Sequence, residues 1–290
     1  MSKRFQKVNI EISNICNLQC SFCPEVIRDK KLMSLNHFRN IIRQVAPLTE
    51  QVCFHLMGDP LVHPHLHELV EICHEHSVKI FFVTNGVLMR EKQSQLLLHP
   101  AFRQVNFSLH SFFDNFPERD PTEYLNKILA YTDQALLQRP DLYINFRLWN
   151  LLDTKFSSQR NYEMLSRISD HFQIHFDTQF DVRNRKSLPI KGRLYLHFDT
   201  EFIWPGLHLP ILGAKGSCYG LSSHFGILVD GTVVPCCLDK EGSIPLGNIH
   251  KQNVLEILES PKSKAILEGF RKKNLVEDLC QRCQYIERFA

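Results

Sequence analysis

The sequence has no apolar run approaching the roughly 18 residues that a membrane-spanning helix needs, and its opening, Met1-Ser2-Lys3-Arg4-Phe5, lacks the apolar stretch of a secretion signal. The cytoplasm is therefore the expected compartment, with no membrane partner. A charge excess is missing too. Against 31 acidic residues stand 34 basic ones, a net charge of +3 that is too balanced for the broad electrostatic footprint of a nucleic-acid binder. There is no internal repeat. With 43% hydrophobic and 22% charged residues, the 290-residue chain is neither disordered nor fibrous, and it is too long to be a small disulfide-stapled scaffold. One large domain or two modest ones are expected.

What the chain does have is cysteine: ten, at positions 16, 20, 23, 53, 73, 218, 236, 237, 280 and 283. In a reducing compartment thiols stay free to coordinate, so close cysteine spacings read first as metal or cluster ligands. Cys73 falls on the apolar stripe of an expected helix and Cys53 in an expected strand. Both read as small core residues.

The first half alternates strand-length apolar runs with stretches of helical period, the rhythm of strand-helix units around a parallel sheet. Strands are expected at residues 8–13, 52–57, 78–84, 105–110, 143–149 and 173–180, with helices at 36–45, from 64, 88–98, 123–137 and 162–171. Six units make a partial (βα)6 TIM-like barrel of the α/β class, spanning residues 1–183. From 184 to 216 the periodicity fades while Pro189, Pro205 and Pro210 accumulate, which reads as a connecting segment. Residues 217–290 form a small α+β cysteine-rich module, opened by a hairpin at Asp230-Gly231 and followed by helices at 254–258 and 263–270.

Cys16-Asn17-Leu18-Gln19-Cys20-Ser21-Phe22-Cys23 follows the first expected strand directly. Three thiolates can hold three irons of a four-iron four-sulfur cluster and leave the fourth iron open, whereas structural clusters and zinc sites take four ligands. The alternative is a zinc or structural cluster with a distant fourth ligand. This spacing, after a first barrel strand and with aromatic Phe22 before the last cysteine, resembles the radical S-adenosylmethionine (radical SAM) superfamily. The resemblance implies that S-adenosylmethionine chelates the open iron and that one electron cleaves it. It also implies that the 5'-deoxyadenosyl radical abstracts a substrate hydrogen.

Further segments resemble the superfamily's cofactor contacts. Met57-Gly58-Asp59-Pro60 is similar to its Gly-Gly-Glu-Pro motif, with Met57 in place of a glycine and Asp59 one methylene shorter than the usual glutamate. Thr84-Asn85-Gly86 follows the third strand, Ser108 to His110 lie in the expected fourth, and Arg147 sits late in the fifth, where its planar fork suits the cofactor carboxylate.

Cys218, Cys236, Cys280 and Cys283 are separated by 17, 43 and 2 residues. Four thiolates complete either a tetrahedral zinc site or a fully ligated iron-sulfur cluster. The pattern, including Gly231 with four residues between it and Cys236, resembles the SPASM or twitch module that follows the barrel in many superfamily members. Its spacing is similar to that of an alcohol-oxidising dehydrogenase of the superfamily. The resemblance implies one auxiliary four-iron four-sulfur cluster. Cys237 is an alternative ligand to Cys236, a candidate thiol hydrogen donor to a substrate radical, or a packed neighbour.

The reaction expected is a net two-electron oxidation of a small molecule, with a flavodoxin- or ferredoxin-type reductant. Radical epimerisation and peptide or RNA modification are the alternatives within the class. Reaching the first strand by Val8 leaves no room for an N-terminal peptide-recognition domain. The rival of another class is a non-catalytic zinc-binding adaptor. His63, His65 and His67 bracket Pro64 at a strand-to-helix loop, and alternate histidines do not share a helix face, so they are not read as a metal site. Arg183, Arg185, Lys186, Lys191 and Arg193 form a basic stretch that reads as a solvated connection, and nothing in the spacing of Asp199 and Glu201 distinguishes them from surface carboxylates.

Overall fold

A computed structural model describes residues 4–151, 159–176, 181–182 and 185–289. The chain divides into two compact units, one of residues 1–17, 23–80 and 202–290, the other of residues 18–22 and 81–201.

The first unit begins with β1 (Lys7–Ile10), followed by α1 (Leu35–Val45), β2 (Gln51–Cys53) and α2 (Leu66–Glu75). The period read from the sequence gives α1 its buried face of Phe38, Ile41, Ile42 and Val45, and Ser34 caps its start by accepting from the His37 N–H. After position 202 come β8 (His224–Ile227), β9 (Thr232–Val234), β10 (Gly247–Asn248), α7 (Val254–Leu258) and α8 (Pro261–Arg271). The strand order is β10-β9-β8-β1-β2. β1 pairs in parallel with β2, and on its other edge with β8 through four register pairs from Lys7↔His224 to Ile10↔Ile227. Buried Asn9 adds a side-chain bond, Nδ2 to the Phe225 carbonyl at 3.1 Å. The β8–β9 hairpin turns at Asp230-Gly231 as expected, with Gly231 at φ +86°.

β3 (Lys79–Thr84) runs across the division between the units. The second unit continues with α3 (Glu91–Leu97), β4 (Phe102–Ser108), α4 (His110–Asn115), α5 (Thr122–Gln138), β5 (Tyr143–Leu151), α6 (Gln159–Phe172), β6 (Ser187–Lys191) and β7 (Leu194–Thr200). Its strands run β4-β5-β7-β6, with β4, β5 and β7 parallel and β6 antiparallel to β7. Fully buried Asn106 ties this sheet together: Nδ2 donates to the Phe82 carbonyl at 2.8 Å, and Oδ1 accepts from Asn145 Nδ2 at 2.9 Å.

Two expectations are corrected. The sixth parallel strand is β7, not residues 173–180: positions 173–176 are not in a strand, and 177–180 lie outside the described residues. Part of the expected connecting segment, residues 187–200, is therefore sheet. Pro189 is accommodated because β6 pairs only with β7, where a missing N–H is tolerated. His110 is also not in the fourth strand. The strand stops at Ser108 and the chain turns into α4, whose existence the sequence did not announce. No helix among the described residues is long and apolar enough to cross a membrane.

Candidate active site

In the first unit, Cys16 and Cys23 flank the irregular segment that follows β1, and both are exposed. The base of this loop is closed by Asn14, whose Nδ2 donates to the Asp29 carbonyl at 2.8 Å and whose Oδ1 accepts from the Lys31 N–H at 2.7 Å. The Gly58-Asp59 backbone is laid against its entrance. Asp59 N–H donates to the Ile15 carbonyl at 3.0 Å, and a Cβ on Gly58 would stand 2.6 Å from the Ser13 carbonyl oxygen and 2.7 Å from that of Ile15. Gly58 also has φ +76°, so both the contact and the conformation require glycine here. Asp59 is buried, and its Oδ1 accepts from the Leu61 N–H at 2.9 Å, capping the short 3-10 turn that begins at Pro60.

The exit limb of the same loop meets the C-terminal module. Lys240 Nζ donates to the Glu25 carbonyl at 2.7 Å, and Glu241 accepts the backbone N–H groups of Ile27 and Arg28 at 3.1 and 3.3 Å. Arg28 Nε donates to the Lys240 carbonyl at 2.8 Å, and Arg28 Nη2 binds both oxygens of fully buried Glu11 at 2.8 and 3.0 Å. Glu11 also accepts the Val229 N–H at 3.0 Å. Burial pushes the Glu11 carboxyl up, with Arg28 acting against it.

In the second unit, Cys20 is buried while Asn115 Nδ2 donates to its sulfur at 3.1 Å. Phe22 stacks obliquely on His110, ring centroids 4.7 Å apart. His110 Nδ1 donates to the Arg147 carbonyl at 3.1 Å, and burial lowers its pKa to about 4, so the ring is neutral with Nε2 as acceptor. Buried Arg147 lies 4.3 Å from the Trp149 ring centroid and 5.6 Å from that of Phe81. Ser108, register partner of Arg147, is half-buried. Thr84 and Asn85 are buried and form the turn after β3, with Thr84 Oγ1 accepting the Gly86 N–H at 3.0 Å and Asn85 Oδ1 the Val87 N–H at 2.9 Å. Tyr124 Oη fixes the turn by donating to the Asn85 carbonyl at 2.8 Å.

Trp149 and His197 escaped the sequence reading. Trp149 Nε1 donates to His197 Nδ1 at 2.9 Å; because an indole only donates, the neutral imidazole carries its proton on Nε2. Burial first, then Arg147, lowers the His197 pKa to about 4. Both positions were readable in principle. Trp149 is two residues beyond Arg147 on the same face of β5, and β7 places His197 opposite Arg147.

At the C-terminal cysteines, Cys218, Cys236, Cys280 and Cys283 are half-buried. Burial is the main cause raising each thiol, Cys283 to about 11, and neighbouring thiols add to it: Cys237, Cys218 and Cys280 at Cys236, and Cys218 and Cys283 at Cys280. Cys237 packs against Leu56, Leu228 and Val234. Among the described residues no three His, Cys, Asp or Glu side chains are placed to hold one metal ion. The ligands of a cubane attach to separate irons, so four neighbouring thiols need not converge on one ion to hold it. The all-thiolate donor set fits the same group.

The remaining candidates part from the site. His63 is buried, donates through Nε2 to the Met33 carbonyl at 2.9 Å and accepts the His65 N–H at 3.2 Å, so both ring nitrogens are taken up structurally. Cys53 and Cys73 are core residues, as read. The basic stretch is not simply solvated: Lys186 ion-pairs with buried Asp199 at 3.1 Å and Arg193 donates to the Asp141 carbonyl, while Arg183 lies outside the described residues. Glu201 is exposed.

The radical SAM superfamily profile matches residues 10–137, and that of SPASM, an iron-sulfur cluster-binding domain, matches residues 218–284. The chain carries a radical SAM domain and a SPASM domain. It is 21% identical to the S-adenosyl-L-methionine-dependent 2-deoxy-scyllo-inosamine dehydrogenase of Niallia circulans over 99% of this chain and 95% of that one. To the GTP 3',8-cyclase of Clostridium perfringens it is 26% identical over 48% of this chain, a match spanning 45% of the cyclase's length. Among solved structures, BtrN in complex with AdoMet and 2-DOIA superposes with a TM-score of 0.61 at 18% identity, covering 98% of this chain and 94% of that one. Streptococcus suis SuiB bound to precursor peptide SuiA gives 0.63 at 15% identity, covering 98% and 73%. These likenesses establish the fold, the partial barrel expected from the sequence. The radical SAM domain implies a four-iron four-sulfur cluster and S-adenosylmethionine, and the SPASM domain implies auxiliary iron-sulfur ligation.

Proposed function

We propose that the protein is a radical SAM oxidoreductase acting on a small molecule in a net two-electron oxidation. The cluster held by Cys16, Cys20 and Cys23 would supply the electron that cleaves S-adenosylmethionine, giving the 5'-deoxyadenosyl radical that takes a hydrogen atom from substrate. Cys218, Cys236, Cys280 and Cys283 would hold an auxiliary cluster, which would supply the acceptor for the second substrate electron while a proton is lost to solvent. A flavodoxin- or ferredoxin-type donor provides the priming electron.

The observation that carries the reading is the close passage of Gly58-Asp59 against the entrance of the cysteine loop. It lets backbone approach at the position assigned to the methionine moiety of the cofactor, and it accounts for Gly58 beside Met57 and Asp59, which depart from the family's motif. Thr84, Asn85 and Ser108, near strand ends, are assigned to cofactor contact, as are Asp59 and Pro60. Arg147 is assigned to the methionine carboxylate, its charge held over the Trp149 ring, where a desolvated cation favours an anionic partner. Neutral His110 supports Phe22 rather than exchanging protons. Cys236 is preferred over Cys237 as ligand because Cys237 packs into an apolar cluster, which also speaks against its use as a hydrogen donor. The relation to a dehydrogenase over nearly the full length of both chains favours oxidation over epimerisation.

The test is anaerobic reconstitution with S-adenosylmethionine and dithionite, comparing wild type with a Cys16, Cys20, Cys23 triple alanine variant. About eight irons per chain falling to about four, with 5'-deoxyadenosine formation abolished, is the expected result. Zinc without iron in both proteins and no cleavage would leave the adaptor instead.

A further inference from the structure

In the second unit, the last two residues of α4 clasp the middle of the cysteine loop. Asp114 accepts twice from Ser21, Oδ2 from the backbone N–H and Oδ1 from the hydroxyl, each at 2.6 Å. Asn115 Oδ1 accepts the Gln19 N–H at 2.9 Å, while its Nδ2 donates to the Ser111 carbonyl at 2.9 Å and to Cys20 Sγ at 3.1 Å. The amide cannot be the other way round. Gln19 N–H can only donate and the Ser111 carbonyl can only accept, so the group facing the sulfur is an N–H.

We infer that Asn115 is a positioning residue that raises the reduction potential of the first cluster by donating a hydrogen bond to the Cys20 thiolate, with Asp114 fixing the loop that presents it. The inference rests on the reading of Cys20 as a ligand of that cluster. Reduction adds a negative charge that spreads over iron and sulfur, including the thiolate ligands, so an N–H aimed at sulfur favours the reduced state over the oxidised one. Cys20 is the buried cysteine of the three, which removes competing water from this bond. Asp114 acts on the same balance in the opposite direction, since its carboxylate places a negative charge one residue from the ligand.

The experiment is an EPR-monitored redox titration of the reconstituted full-length protein, following the reduced signal that changes when S-adenosylmethionine is added, because a fully ligated auxiliary cluster offers no iron for that cofactor. Asn115→Leu should lower the ratio of reduced to oxidised cluster at a fixed potential by about tenfold, equivalent to about 59 mV for one electron. Asn115→Asp keeps the size and the acceptor for Gln19 but replaces the donor with a negative charge, and should lower the ratio further. Asp114→Asn removes a charge and should shift the ratio the other way. A merely structural role for the clasp would move all three variants alike, through loss of iron. Iron per chain and the melting temperature are measured beside the titration, and if Asn115→Leu fails to retain its cluster, Asn115→Asp carries the test. A midpoint equal to or above wild type in whichever Asn115 variant retains its iron overturns the inference. If the Cys20→Ala protein keeps the S-adenosylmethionine-responsive signal, it is the ligand reading itself that has failed.

Discussion

Gly58→Ala would place a methyl carbon 2.6 and 2.7 Å from two backbone carbonyl oxygens, those of Ser13 and Ile15. Neither oxygen yields easily. The Ile15 carbonyl accepts the Asp59 N–H, and Ser13 is bridged to Leu32 across the base of the loop. Two penalties add. A left-handed backbone at φ +76° costs an L-residue about 1–2 kcal/mol, and forcing a methyl into filled space costs about 1–3 kcal/mol, giving about 2–5 kcal/mol together. For a chain of this size that is a fall in Tm of about 3 °C at the least. The strain falls on the residue before Cys16, so iron at the first cluster and affinity for S-adenosylmethionine should drop while auxiliary iron stays. Gly213→Ala is the control, because a Cβ there meets nothing within 4 Å. The assay is differential scanning calorimetry of the apo chain, followed by iron content and cofactor binding after reconstitution. If Gly58→Ala melts with Gly213→Ala and wild type and binds the cofactor as they do, the argument that glycine is required at this passage is refuted.

Glu11→Gln leaves a guanidinium that cannot lose its charge, with Glu241 at 3.7 Å as its remaining ion partner among the described residues; a loss of about 3–5 kcal/mol in urea unfolding is expected at neutral pH. Arg28→Met behaves differently, because Glu11, already pushed up by burial, can take a proton: its contribution is full below the ordinary carboxyl value and lost as pH rises through the raised one, so this variant should be clearly weaker at pH 8 than at pH 5, and equal stability at the two would count against the burial argument. His110 gives the reverse sign. With a folded pKa of about 4 against an ordinary 6.5, its contribution is present above pH 6.5 and lost as pH falls through 4, a span worth up to about 3 kcal/mol that His110→Gln should remove from the slope of stability against pH.

The cysteine groups were legible because their spacing is local and matches family motifs, and the Asp230-Gly231 hairpin because its turn demands a left-handed residue. The first five barrel strands followed from period, and the sixth did not. What was lost had physical reasons. From Val105 to His110 apolar and polar residues alternate without a break, so the strand period runs on past Ser108 and hides the switch to the six-residue α4. β7 alternates Leu194, Leu196 and Phe198 inward and could have been read, but neighbouring prolines spoke for a linker, and only pairing with β5 overrules them. Asn115 has no local signature at all. Its meaning arises 95 residues away in sequence, at Cys20.

The first unit also changes what the C-terminal module is. A SPASM domain written after the barrel in sequence suggests an appendage, yet β8 is the neighbour of β1 in the sheet, and β1 is the strand that delivers the first cysteine loop. Glu11, one residue past β1, needs Val229 from one side and Arg28 from the other; Arg28 and Glu25 in turn are held by Lys240 and Glu241, a few residues beyond Cys236 and Cys237. Every member of this chain of contacts is a hydrogen bond to backbone or a charge pair with a buried partner, the kind whose loss leaves a desolvated group unsatisfied. Cutting the chain at the start of the module would therefore strip the β1 edge and unlatch the exit limb of the first loop together. The auxiliary cluster of the proposed function would be removed cleanly by replacing Cys280 and Cys283, which lie outside the latch, and a truncated protein that fails to cleave S-adenosylmethionine says nothing about what that cluster does.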